Sequence, residues 1–370
     1  MTKTIAIIIN TTWNIYNFRK GLINALQKEG FNVIAISPKD KYVNKLEGIG
    51  CKHYHVDIDN KGANPLKDIK LILDYYRLFK RLRVDLVLSY TIKPNIYGSF
   101  ASKLANIPII TNISGLGTVF LNNNLRSKIA RIMYKYALKI PERVFFQNKY
   151  DRDIFIKINL VDKSKTVLIP GSGIDTKKFA PIQNIKDDNK IKFLFIARLV
   201  KDKGLIEYIE AIKIIKSKYK NVEFAILGDF YSNNPSAITK EQMSKWVKNG
   251  LVDYLGVSDD VKSIISKYDC IVLPSYREGL SRVLLEAASM AKPIITTNVP
   301  GCKDVVDDGV NGFLCRVKNS YDLANKIEKM INLMEEDRIK MGQKGREKIL
   351  KEFDEQIVIN KYISTIKEIL

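Results

Sequence analysis

Apolar residues fall along this chain in short runs separated by longer amphipathic stretches. In the first half, Thr4–Ile9, Asn32–Ser37, Val84–Ser89, Pro108–Asn112 and Arg143–Gln147 have strand length and are rich in Ile and Val, as strands buried on both faces are. Between them, Phe18–Lys28, Leu66–Leu82, Pro94–Ala105 and Leu125–Lys139 repeat apolar positions every three or four residues and read as helices. This alternation predicts an α/β protein with parallel sheets covered by helices on both faces. The pattern then restarts, with Lys192–Ala197, Glu223–Leu227, Cys270–Leu273 and Pro293–Thr296 reading as a second set of buried strands. The polar, acidic stretch Ile182–Lys190 precedes the restart, so two doubly wound domains are expected, 1–180 and 181–370. The tail from Tyr321 is helical by periodicity, and its last helix has room to pack back on the first domain. Doubly wound domains bind ligands beyond the carboxyl ends of their strands. Two such domains facing a cleft suit a reaction that joins an activated donor to a second substrate.

Composition narrows the class. Hydrophobic residues make up 46% of the 370, enough to bury two cores and too many for a disordered chain. No apolar stretch approaches the roughly 20 residues of a spanning helix. Asn10–Asn14 interrupts the first apolar run too early for a secretory leader. Four cysteines without Cys-x-x-Cys spacing and two histidines are a poor set for zinc, and point to a reduced, cytoplasmic setting. The formal charge is +21, and 47 of the 61 basic residues are Lys. Residues 1–180 carry 30 basic and 13 acidic side chains; residues 181–370 carry 31 and 27. A bias towards Lys touches both halves, whereas the asymmetry lies in the acids. A polyanion is therefore expected beside the first half: nucleic acid, anionic lipid or a diphosphate.

The densest chemistry lies after Leu273. A strand ends there, Gly279 permits a tight turn, and a helix starts near Ser281. The free N–H groups and dipole of a helix's first turn make an anion site. Glu278 before the turn and Glu286 eight residues later can each accept hydrogen bonds from sugar hydroxyls. In a purely structural reading Glu278 caps the helix and Glu286 is solvated. The segment Leu273-Pro-Ser-Tyr-Arg-Glu-Gly-Leu-Ser-Arg-Val-Leu-Leu-Glu-Ala287, with Ala-Lys-Pro-Ile-Ile-Thr-Thr and Asp308-Gly-Val-Asn-Gly312-Phe after it, resembles the C-terminal half of retaining GT-B glycosyltransferases of the family-4 type. Three other segments resemble that family in the same order: Gly171-Ser-Gly-Ile-Asp-Thr-Lys-Lys-Phe179, Phe195-Ile-Ala-Arg-Leu-Val-Lys-Asp-Lys-Gly204, with Ala197 where Gly is usual, and Val252-Asp-Tyr-Leu-Gly256-Val-Ser-Asp-Asp. The likeness extends to undecaprenyl-diphosphate-linked glycan N-acetylgalactosaminyltransferases and to capsule and O-antigen glycosyltransferases.

The resemblance implies a GT-B fold, with two Rossmann-like domains facing a central cleft. It implies transfer of a hexose or N-acetylhexosamine, best matched by N-acetylgalactosamine, from a UDP-sugar to a polyprenyl-diphosphate-linked glycan in surface polysaccharide or glycoprotein glycan assembly. Catalytic roles fall to Arg198, Lys203 and Glu278, and donor contacts to Gly279, Leu280, Ser281, Arg282, Glu286, Val257 and Gly171. Cations at Arg198 and Lys203 can hold a diphosphate without metal and meet the charge that builds on the leaving UDP. Read structurally, they are surface ion-pair residues. Arg282 departs from the small or apolar residue usual at its place, and either adds charge at the diphosphate or points to solvent. The implied reaction is front-face and retaining, with a UDP phosphate oxygen receiving the acceptor proton, and no metal or cofactor is expected. The Asp57–Asp59 and Asp151–Asp153 spacings match the Asp-x-Asp pair of metal-dependent transferases but read as a strand end and a helix start. His53 and His55 read as packed or solvated strand residues.

The acceptor is expected on the first domain, at Asn14, Tyr16 and Arg19 after the first strand, and at Asn112, Gly115 and Gly117. That Gly-Leu-Gly segment resembles one in enzymes acting on undecaprenyl-diphosphate glycans. Asn112 and Ser114 stand in a region where many family members carry a His. Lys128, Arg131 and Lys135 share one helical face, with Ile129, Ile132, Met133 and Tyr136 as the apolar side. Stretch 67–83 similarly sets basic residues around Leu71, Ile72, Tyr75 and Leu78. Such helices suit an anionic membrane surface at the inner face of the cell membrane, or else are core-packed helices with solvated basic faces. Two other readings stand beside the main one. One is a basic nucleic-acid-binding protein, for which no zinc pattern, RNP-like segment or clear helix-turn-helix is visible. The other is a GT-B enzyme acting on the UDP-sugar alone, as epimerase or hydrolase.

Overall fold

The structure, a computed structural model, describes residues 2–59, 64–115, 125–182, 189–231 and 234–370. The chain divides into two compact units, the first made of 1–172 and 355–370, the second of 173–354. The first unit thus ends at Ser172, eight residues before the break expected at 180, because Ile174 already bonds within the second unit, to the Phe353 carbonyl.

In the first unit β1 (Thr4–Ile8), α1 (Thr12–Lys28), β2 (Asn32–Ser37), α2 (Val43–Glu47), β3 (Lys52–His55), α3 (Pro65–Arg81), β4 (Leu86–Tyr90), α4 (Ile92–Ala105), β5 (Ile109–Ile113), α5 (Leu125–Ala137), β6 (Arg143–Phe146), α6 (Lys149–Lys157) and β7 (Thr166–Leu168) follow in turn. The strands form one parallel sheet in the order β3-β2-β1-β4-β5-β6-β7. Successive side chains of a strand point to opposite faces. In β1, Ala6 and Ile8 join one core cluster, while Ile5 and Ile7 join the other with Ile9 just beyond the strand. Both faces are covered, which is why the strand reads as an unbroken apolar run. Helix α1 begins at Thr12, six residues before the expected start, because the Thr11 hydroxyl accepts from Asn14 N–H and caps it.

The second unit repeats the scheme: β8 (Ile191–Ile196), a 3₁₀ turn Lys201–Lys203, α7 (Leu205–Lys218), β9 (Val222–Leu227), α8 (Lys240–Lys248), β10 (Asp253–Tyr254), α9 (Val261–Ser266), β11 (Cys270–Leu273), α10 (Arg282–Ser289), β12 (Ile294–Thr297), β13 (Gly312–Cys315), α11 (Ser320–Asn332) and α12 (Glu335–Glu352). Its strands are parallel in the order β10-β9-β8-β11-β12-β13. Helix α13 (Glu355–Ile369) belongs to the first unit, where Val358, Ile359, Tyr362 and Ile366 enter the core. The Tyr362 ring lies 4.6 Å from that of Phe145. Both units are doubly wound and Rossmann-like. In each, strand order reverses once, between β1 and β4 and between β8 and β11. Ligands of open parallel sheets bind in the crevice beyond the strand ends at that reversal.

The two basic helices differ in what they bury. On α5 most of the residues read as its apolar side are in solvent: Ile129, Ile132 and Tyr136 are 50–59% exposed, while Tyr134, Ala137 and, just past its end, Leu138 are buried. On α3 Leu71, Tyr75 and Phe79 are buried and the basic residues solvated, as in a core-packed helix. Among the described residues no helix is long and apolar enough to cross a membrane. By these units the first carries 30 basic and 14 acidic side chains, the second 31 and 26, so the charge asymmetry persists at +16 against +5.

Candidate active site

Two loops meet at the β8–β11 reversal. After β8 the chain turns through Lys201–Lys203 into Gly204, whose φ of +76° is left-handed. A Cβ there would lie 2.0 Å from the Pro274 carbonyl oxygen, so only Gly lets this loop abut the exit of β11. Tyr276 N–H donates to the Asp202 carbonyl at 2.9 Å and Ser275 Oγ to the same oxygen at 3.3 Å. This stitching brings the Lys203 ammonium onto Glu278 Oε1, with side chains only 17% and 13% exposed. A third loop, after β12, supports the turn from beneath. Glu278 N–H donates to Pro300 O at 3.3 Å, Ser281 N–H to Gly301 O at 3.1 Å, and Thr297 Oγ1 to Ser275 O. Cys302 is buried in this support, its thiol pushed up to about 12 by burial and then by the Glu278 charge.

Helix α10 starts just past Glu278–Gly279. Its N-cap Ser281 makes no side-chain capping bond, so the dipole and backbone donors of the first turn, not a hydroxyl, define this end. Glu286, one turn on, is half-buried with its side chain 12% exposed, and desolvation pushes its carboxyl above the usual range; Arg282 and then Lys178 oppose that shift. Arg282 neither points to solvent nor stands as a free cation: its Nε donates to Glu286 Oε1 at 3.0 Å and its Nη1 to Gly173 O at 2.8 Å. Arg198, on the β8 loop, is exposed and lies over the Tyr231 ring at 5.1 Å. Val257 is 66% exposed beyond β10, next to Gly256, whose carbonyl accepts from Gly228 N–H at 2.8 Å. It stands two strands, about 10 Å, from β8.

The structure thus groups Lys203, Glu278, Gly279, Leu280, Ser281, Arg282 and Glu286 on adjoining turns of the second unit. Gly171 is not among them. It belongs to the first unit, where it lines a small cavity with Arg19, Asn112, Glu355 and Tyr362. Asn112 is 1% exposed; its Nδ2 donates to Tyr362 OH at 2.9 Å, and its Oδ1 accepts from Gln147 Nε2 at 3.3 Å. Arg19 is 7% exposed, with its guanidinium 4.3 Å from the Tyr90 ring centre. Asn14 and Tyr16 are half-buried on α1, and Tyr16 packs near Tyr42 at 5.9 Å. Gly115 takes a φ of +142°, and Gly117 lies outside the described residues. Lys128 and Lys135 are exposed and Arg131 half-buried on α5. Asp57 pairs with His55 at 3.0 Å and Lys70 at 3.9 Å, Asp59 with Lys67 at 3.8 Å, and Asp153 with Arg152 at 2.9 Å.

One feature has no sign in the sequence. Thr91, at the exit of β4 beside the first unit's reversal, has a φ of +66° that a β-branched residue rarely adopts. It precedes α4 without a side-chain capping bond, and its hydroxyl oxygen is buried without a partner among the described residues. Strain of this kind gathers at binding sites.

A doubly wound pair of units, the second with a cation, a carboxylate and a helix N-terminus at its strand reversal, is an arrangement suited to holding an anionic ligand. Comparison with known proteins gives the class its name. Residues 176–348 match the family of glycosyl transferases group 1, and residues 4–148 match the glycosyl transferase 4-like family. Between them these two domains take in most of the chain, which is a GT-B glycosyltransferase. The chain is 28% identical to the N,N'-diacetylbacillosaminyl-diphospho-undecaprenol alpha-1,3-N-acetylgalactosaminyltransferase of Campylobacter jejuni, over 96% of each chain. It is 29% identical to the UDP-Gal:alpha-D-GlcNAc-diphosphoundecaprenol alpha-1,3-galactosyltransferase of Escherichia coli, over 73% of each. Anabaena HepE, solved in complex with UDP and glucose, superposes with a TM-score of 0.80 over the whole of both chains at 19% identity.

Proposed function

We propose that this glycosyltransferase is a retaining enzyme that moves an N-acetylhexosamine, with N-acetylgalactosamine the leading candidate, from its UDP derivative to a polyprenyl-diphosphate-linked glycan. The carrying observation is the Lys203–Glu278 pair, held at the β8–β11 reversal in front of α10. The donor diphosphate takes the Lys203 ammonium and the first-turn N–H groups of α10, and Arg198 adds a second cation. That frees Glu278 to accept hydrogen bonds from the donor sugar. Glu286 receives the ribose hydroxyls, and the Val257 turn borders the base.

The acceptor hydroxyl then bonds to the sugar's C1 from the face that UDP leaves. The C1–O bond to UDP breaks, and the hydroxyl proton passes to the departing phosphate oxygen. Charge builds on UDP in this step, and each fixed cation aimed at it is worth on the order of 3 kcal/mol. No metal ion is required in this reading. The acceptor binds the first unit, whose excess charge suits its diphosphate. The exposed Ile129, Ile132 and Tyr136 beside Lys128, Arg131 and Lys135 suit the anionic inner face of the cell membrane better than nucleic acid. The names of the relatives, which act on undecaprenyl-diphosphate glycans, and the UDP held by HepE support the same reading.

The test is a UDP-release screen across UDP-sugars, with and without a polyprenyl-diphosphate glycan, with the product's anomeric configuration read by NMR. Release that depends on the acceptor, with the donor's configuration kept, is expected. Equal release without acceptor would instead mark an enzyme acting on the UDP-sugar alone. The membrane part is tested by vesicle flotation, and absence of binding to anionic vesicles at physiological salt removes it.

A further inference from the structure

We infer that Trp13 is the platform on which the acceptor's sugar ring stacks, an assignment that rests on placing the acceptor in the first unit. The chain has two tryptophans. Trp246 packs partly buried against the second unit's core, whereas Trp13 is 44% exposed in the first turn of α1. That turn follows β1 directly, and β1 is one of the two strands at which the first sheet reverses its order. The strained Thr91 closes the other side of the same reversal, after β4.

The turn that carries the exposed indole is anchored through its backbone. The main-chain N–H of Trp13 donates to Asp40 Oδ2 at 2.8 Å, and the other oxygen of that carboxylate accepts from the main-chain N–H of Tyr42 at 2.8 Å, so one side chain fixes both turns. Asn17 Nδ2 donates to the Trp13 carbonyl at 2.9 Å. The Phe18 ring meets the indole edge-on, 5.3 Å away at 83°. An indole on an anchored turn has only two side-chain torsions to lose when it binds, and its flat apolar body carries a polar N–H at one edge. A pyranose has the complementary form, an apolar C–H face inside a rim of hydroxyls. The neighbouring surface is cationic: Lys20 stands 5.6 Å from the Tyr16 ring centre, and Lys45 lies 5.8 Å from Tyr16 and 4.9 Å from Tyr42. A sugar on Trp13 with its diphosphate directed to these ammonium groups matches a glycosyl diphosphate and explains why rings and lysines share one patch.

Trp246→Phe leaves Trp13 as the sole indole and makes its emission a reporter. The variant is titrated with N-acetylglucosamine diphosphate on a short polyprenyl chain, and with the same lipid diphosphate lacking the sugar. A saturable emission change with the first and none with the second is expected. In steady state, Trp13→Ala raises the acceptor KM roughly tenfold or more while the donor KM stays within about twofold, and Trp13→Phe retains most of the affinity. Equal emission changes with and without the sugar, or an acceptor KM within about twofold in Trp13→Ala, overturns the assignment. The methyl glycoside of N-acetylglucosamine separates this failure from failure of the proposed function. A saturable response to it supports stacking even if no lipid-linked glycan is elongated. Its absence alongside intact lipid-glycan transfer rejects stacking alone.

Discussion

Replacing Gly301 by Ala tests the site's geometry without touching any group assigned to the chemistry. Gly301 has a φ of +78°, and an added Cβ would lie 2.5 Å from the Glu278 carbonyl oxygen and 2.7 Å from that of Gly279. Both neighbours are backbone, so no side chain can swing aside. Relieving the closer contact to 3.0 Å moves the Glu278–Gly279 turn by about 0.5 Å, and to 3.4 Å by about 0.9 Å. Misplacement on the 1 Å scale costs about 10²-fold in rate. The left-handed φ adds roughly 1–2 kcal/mol of destabilisation for any L side chain. Gly309 supplies the control: its φ is +76°, but an added Cβ meets nothing within 4 Å. Ala at 309 carries the same backbone strain and displaces nothing. With UDP release and thermal unfolding followed in parallel, both variants should melt earlier, and only Gly301→Ala should lose turnover, by about 10²-fold. Turnover of Gly301→Ala within about threefold of wild type, or an equal loss in Gly309→Ala, would refute the reasoning.

Lys203→Met should lower kcat roughly 10²–10³-fold, whereas Lys213→Met, which breaks an exposed pair with Glu210, should leave it unchanged; similar kinetics for the two variants would remove Lys203 from the diphosphate site. Tyr362→Phe takes away the hydroxyl that accepts from buried Asn112, and should cost about 1–3 kcal/mol in urea unfolding; an unchanged midpoint would show that Asn112 finds another partner. Burial raises the Glu286 carboxyl above its usual 4.5, so the folded state holds that proton more tightly than the unfolded state does. Its contribution to stability is full below about pH 4.5 and is lost as pH rises through the folded value. Glu286→Gln should remove this falling component from a plot of unfolding free energy against pH, and an unaltered slope would contradict it.

What the sequence makes legible here follows burial. Strands buried on both faces, such as β2 and β11, were readable to the residue, and β1, β4, β8 and β12 to within two. Strand β3 was visible only as an alternation around His53 and His55, since Lys52 and His55 are exposed and the pair between them is half-buried. Strand β10 has two residues and no apolar run to show. Pro94 reads as a helix start, yet α4 begins at Ile92, after the strained Thr91. At the site, residue types and order were readable and partners were not. Lys203 and Glu278 are 75 residues apart, and the contact depends on Gly204 pressing against Pro274. Arg282 resembles a stray cation until Gly173 and Glu286 are seen to occupy it. Asn112, exposed in any loop reading, is buried because Tyr362 arrives from the far end of the chain.

That late arrival has a consequence during synthesis. The first unit's sheet is complete at Leu168, but Val358, Ile359, Tyr362 and Ile366 must still cover one face of it. The entire second unit, residues 173–354, is translated in between. At about 5–20 residues per second this takes on the order of 10–40 s. Domains usually finish in the order in which they emerge. Here the unit begun first is completed last, and the apolar surface around Tyr90 and Phe145, against which the Tyr362 ring packs, waits uncovered on the ribosome, within reach of chaperones or of other nascent chains.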